Sequence, residues 1–82
     1  MMTSGAAERF APLGANLVRV WACNAATQRF EMYDPQASEA SDLTMLVRGR
    51  GYWVNVRSGT VLLAGGNEYG LAAGRNLTGW LG

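Results

Sequence analysis

The chain has no histidine and no lysine among its 82 residues, one cysteine, two prolines and only six carboxylates. Each shortage excludes something. Without histidine, the commonest general base, the commonest metal ligand and the usual switch near neutral pH are missing together. Without lysine, no Ser–Lys dyad can activate Ser4, Ser38, Ser41 or Ser58. A single cysteine, Cys23, can form no internal disulfide, no cysteine metal cluster and no Cys–His nucleophile. Charged residues make up 16% of the chain and the net charge is +1. That composition is not that of a disordered polyampholyte, and it offers little counterion-release energy for nucleic acid. No apolar run approaches the ~20 residues of a membrane-spanning helix. The first ten residues carry Glu8 and Arg9 where a signal peptide would be apolar. The expected location is cytoplasmic for the chain as written, and extracellular if it is a fragment of a longer exported protein. No membrane contact, cofactor or metal is implied.

What is present points to a small β domain spanning residues 1–82. Residues 1–5 read as a frayed start. Ser4 could cap a short helix over residues 6–13, with Ala6, Ala7, Phe10 and Leu13 on one stripe and Gly14 as its stop. Strands follow across residues 17–81. Residues 17–23 alternate, with Val18, Val20 and Ala22 on one face and Leu17, Arg19, Trp21 and Cys23 on the other. A turn over 24–28 leads to a strand at 29–33, with Phe30 and Met32 expected inward and Arg29 and Glu31 outward. Asp34-Pro35 ends it. A polar loop at 36–42 precedes one helical turn carrying Leu43 and Leu46. Arg48-Gly49-Arg50-Gly51 reads as a tight turn, then strands are expected at 52–56, 60–64, 69–71 and 75–81. Five or six short strands with eleven glycines suggest a mainly β fold, a small antiparallel barrel or sandwich with a short N-terminal helix. All seven basic residues are arginine, which reads as codon bias in a GC-rich bacterial genome.

Two stretches carry a family resemblance. One runs from Leu46 to Val56 and contains Gly51-Tyr52-Trp53-Val54. The other runs from Leu71 to Trp80 and contains Gly74-Arg75-Asn76-Leu77-Thr78-Gly79-Trp80. Together they resemble a small bacterial β-module, often tandemly repeated in surface or secreted proteins, with a Gly-Tyr-Trp-Val strand and, some twenty residues later, a Gly-Trp-Asn-Leu-Ile-Gly strand. Arg75 and Thr78 stand where that family has tryptophan and isoleucine. The resemblance implies a structural or adhesive module and carries no catalytic residues.

The candidate contact residues are Trp53, Trp80, Asn55, Asn76, Arg48 and Arg50. Trp53 and Trp80 would be stacking platforms with the polar side chains of Asn55, Asn76 and Thr78 beside them. The alternative is that all three tryptophans, with Trp21, pack the core. Arg48 and Arg50 flank a glycine turn that could hold a phosphate, or could simply be solvated. Glu31 and Asp34 are expected to pair with Arg19 or Arg29 rather than to act as an acid–base pair. The leading functional expectation is a non-catalytic structural or protein-interaction module that self-associates. Its first alternative is a carbohydrate-binding module, and its second is a small nucleic-acid-binding barrel, which the low charge disfavours.

Overall fold

The computed structural model describes residues 3–24, 27–37 and 41–81. The elements run β1 (Thr3–Gly5), α1 (Ala6–Phe10), a 3-10 helix (Ala11–Asn16), β2 (Leu17–Asn24), β3 (Arg29–Tyr33), β4 (Met45–Val47), β5 (Gly51–Val56), β6 (Thr60–Ala64), β7 (Asn67–Leu71) and β8 (Gly74–Gly79). The fold is mainly β and antiparallel throughout. A four-stranded sheet, ordered β3-β2-β5-β8, is accompanied by the β6–β7 hairpin and the β1–β4 ribbon. The layers pack as a small sandwich and do not close into a barrel.

One hydrophobic cluster joins the layers. Val20 and Ala22 on β2 and Tyr52, Val54 and Val56 on β5 face Leu62 and Ala64 on β6 and Tyr69 and Leu71 on β7. Ala6 and Phe10 of α1, Leu13, Leu17 of β2, Leu43, Leu46 of β4 and Trp80 complete it. Each fully buried aliphatic or aromatic side chain here contributes roughly 1.5–3 kcal/mol relative to exposure. The strands expected at 52–56 and 60–64 are both found, each alternating in burial along its length.

Several local expectations are corrected. Residues 3–5 are not frayed: they pair with β4, Ser4 opposite Leu46. Gly5, not Ser4, occupies the N-cap position, and no side chain caps α1. The helix is shorter than expected, because Pro12 enters a 3-10 segment and Gly14 takes φ 53°, ψ −133°, a conformation closed to most L residues. The helical turn expected around Leu43 and Leu46 is extended chain and strand β4. The ladder bond it makes with β1 outweighs the weak helical bias of three residues. The expected turn at 24–28 is partly strand, since Asn24 pairs with Arg29, and residues 25 and 26 lie outside the described residues. Part of the polar loop, residues 38–40, lies outside them as well.

Two corrections concern facing. A bulge between Leu17 and Arg19 shifts the register of β2 against β5. It turns both Leu17 and Val20 inward, which strict alternation forbids. On β3, Phe30 pairs with Cys23 and Met32 with Trp21, so both look outward, while Glu31 shares the inward side with Ala22. The hairpin register decides this, because a slip of one residue exchanges the faces. Glu31 stays half-buried at the sheet's edge and meets Arg50 at 3.5 Å.

Candidate functional site

The four-stranded sheet has one face in the core and one in solvent. Its outer face is built in rows by the strand register. Met32, Trp21, Trp53 and Leu77 stand opposite one another across β3, β2, β5 and β8. Adjacent strands are ~4.8 Å apart, so this row spans roughly 14 Å. On one side of it lies a polar row, Arg19, Asn55 and Arg75. On the other side Phe30 stands beside Cys23, and the β5 and β8 positions are Gly51 and Gly79. The glycines leave that corner of the face without side chains.

The apolar row is half-buried at Met32 and Trp21 and open to water at Trp53 and Leu77, as is Phe30 beside it. Phe30 is 67% exposed, Leu77 64% and Trp53 41%. Trp21, Phe30, Trp53, Asn55 and Arg75 line an open depression of about 700 Å³. Arg19 places its guanidinium carbon 5.9 Å from the centre of the Trp21 ring, a cation–π contact. The same guanidinium donates to Asp34 at 3.1 Å. Asp34 also accepts from the Gln36 N–H, and that bond, followed by Arg19, holds its carboxyl below the usual range despite opposing desolvation. The acid at the end of this face is thus already engaged. Arg75 has no ion-pair partner among the described residues.

Of the six residues singled out from the sequence, the structure brings only Trp53 and Asn55 to this face. Trp80 is 2% exposed and is the hub of the core. It stacks on Tyr69 (4.8 Å, 4° between planes), meets Tyr52 edge-on (82°) and lies 5.8 Å from Phe10. Its backbone is held too, its N–H donating to Arg50 and its C=O accepting from Gly49. It follows β8 on the side opposite Leu77, so the alternation that exposes one buries the other. Asn76 is a structural staple: its amide donates to the carbonyls of Ala72, Gly74 and Val54, and its oxygen accepts from the Ala72 N–H. Those bonds close the β7–β8 turn and leave no amide donor for a ligand. Thr78 shares this core-side face, opposite Tyr52.

Arg48 and Arg50 stand at the β4–β5 turn, where Gly49 adopts φ 88° as a tight turn requires. Arg48 is exposed, whereas Arg50 is paired with Glu31, so the two do not converge on an anion. The acidic residues behave as ion-pair partners, Asp34 with Arg19 as expected and Glu31 with Arg50 across the sheet end.

The site residues that sequence reading missed are Trp21, Phe30, Met32, Arg75 and Leu77. One signal was present: Arg19 and Trp21 share a parity, and an arginine on an alternating strand marks its wet face. Phe30 carried no such mark.

Among the described residues no three histidine, cysteine, aspartate or glutamate side chains come together as a metal site. No helix among them is long and apolar enough to cross a membrane. A scan against protein-family models and searches of curated proteins and solved structures found no match.

Proposed function

We propose that the chain is a non-catalytic protein-interaction module that self-associates through its four-stranded sheet. The observation that carries this reading is the outer face itself. A row of Met32, Trp21, Trp53 and Leu77, with Phe30 beside it, lies on the outer side of the sheet, where Trp53, Leu77 and Phe30 are exposed and Trp21 and Met32 half-buried. Apolar side chains that stand side by side across all four strands of so small a domain mark a contact surface. The aliphatic members favour a protein over a sugar, because leucine and methionine offer no ring on which a sugar can stack. Cys23 on this face has no histidine anywhere in the chain to activate it.

Sedimentation velocity across a concentration series tests the reading. The expected result is a mass above that of the monomer at high micromolar concentration, diminished by Trp53→Ser. A monomer throughout the range refutes self-association. The depression favours one second reading, a ring-shaped ligand stacked on Trp21 and Trp53 with Asn55 and Arg75 as polar contacts. Tryptophan fluorescence against a glycan panel checks it, and a flat response removes it.

A further inference from the structure

The open edge of β8 deepens the proposed self-association and rests on it. Trp80 directs both backbone groups toward the β4–β5 chain. Antiparallel strands alternate their bonding direction residue by residue. Gly74, Asn76 and Thr78 therefore bond to β5, and the N–H and C=O groups of Arg75, Leu77 and Gly79 point away from the sheet. No hydrogen bond from another element reaches these groups among the described residues. The opposite edge of the sheet differs. There Met32 is covered, its C=O accepting from Asp42 and Leu43 and its N–H donating to the Asp42 carboxylate.

We infer that β8 is a homodimerisation edge, pairing antiparallel with β8 of a second copy about a two-fold axis at Leu77. The strand is complementary to itself in that register. Leu77 faces Leu77 of the second copy, an apolar pair. Arg75 faces Gly79 of the second copy, and Gly79 has no atom within 4 Å of where a Cβ would stand, so there is room for the guanidinium. The two arginines lie roughly 13 Å apart along the strand direction and do not oppose each other. Pairing Arg75, Leu77 and Gly79 in this way closes roughly six backbone hydrogen bonds. The two sheets become one, and the apolar row of each copy continues into that of its mate through Leu77. A contact of one short strand buries less than the ~1,200 Å² typical of stable complexes, so the association is weak and reversible. A second copy suits this edge because, within the four-stranded sheet, the covered Met32 edge gives β8 no equally open strand to meet, and a closed two-fold pair uses the β8 edge of both copies.

Gly79→Pro is the discriminating variant. Its N–H faces outward, so proline is tolerated within the monomer but removes donors at both ends of the paired edge. Far-ultraviolet circular dichroism checks that the variant folds. The expected result is a dimer for the unmodified chain and at least a tenfold weaker dimer for Gly79→Pro. A second, positive test uses Leu77→Cys in a Cys23→Ser background. A hydrogen-bonded antiparallel pair holds its Cα atoms ~5.5 Å apart, so a short bis-maleimide is expected to link the copies covalently. A dimer indifferent to Gly79→Pro, not linked through Cys at position 77, but lost on Trp53→Ser overturns the edge geometry and leaves face-to-face self-association standing. A monomeric unmodified chain overturns both.

Discussion

Two tryptophans, Trp53 on β5 and Trp80 just after the neighbouring β8, are assigned opposite roles, and truncating each to alanine separates them. Trp80 is 2% exposed and touches Phe10, Tyr52 and Tyr69. An aromatic side chain of that kind buries ~200 Å², or about 5 kcal/mol at ~25 cal/mol per Å². Alanine keeps a little of that burial, and neighbours collapse partly into the space, so the expected loss is about 3–5 kcal/mol. Trp53 is 41% exposed and loses chiefly its cross-strand contacts with Trp21 and Leu77, worth about 0.5–1.5 kcal/mol. A domain this small has ~5 kcal/mol to lose. Urea and thermal denaturation followed by circular dichroism at low protein concentration are therefore expected to give Trp53→Ala complete transitions, with its melting point lowered by ~4–8 °C. Trp80→Ala is expected to be largely unfolded in water at 25 °C. Equal losses at the two sites, or a Trp80→Ala protein with a native-like transition, would refute the division of the tryptophans into core and surface.

Asn76→Ala removes three hydrogen bonds in the β7–β8 turn and one to Val54 of β5, and is expected to cost about 1–2 kcal/mol in urea titration without reducing any fluorescence response to glycans. Tyr52→Phe strips the acceptor from the Val47 N–H, a 2.7 Å bond; a loss of about 1–2 kcal/mol is expected, with faster amide exchange at Val47 than at Val54. Asp34 has its folded-state pKa depressed by the Gln36 N–H and by Arg19. Its contribution is complete above the unfolded carboxylate value of about 3.9 and is lost as pH falls through the lower folded value. Melting curves of Asp34→Asn are accordingly expected to fall less steeply below pH 4 than those of the unmodified chain, and parallel curves would contradict the assignment.

Legibility varied by element for physical reasons. Strands at 52–56 and 60–64 were plain because they lie with one face in the core and one in water, so alternation in sequence equals alternation in burial. β3 was misread because it sits at an edge, where half-buried Glu31 and exposed Phe30 reverse the usual correlation. β4 was invisible, since a three-residue strand stabilised only by a partner forty residues away leaves no local pattern. Of the six candidate contacts, Trp53 and Asn55 reached the exposed face. Trp80 and Asn76 did not, because both belong to the parity of β8 that looks toward Tyr69 and the β7–β8 turn.

Composition alone disposed of histidine chemistry, lysine chemistry and disulfides, and glycine-punctuated alternation alone implied a small antiparallel β fold. Those properties are local or additive, so a linear string contains them. Which strands are neighbours, which parity faces water and which edge stays uncovered are pairwise facts between distant segments. The bulge at Leu17–Arg19 and the opposition of Trp21 to Trp53 come into being only when β2 meets β5, and the exposed row exists only because that meeting sets the two indoles side by side.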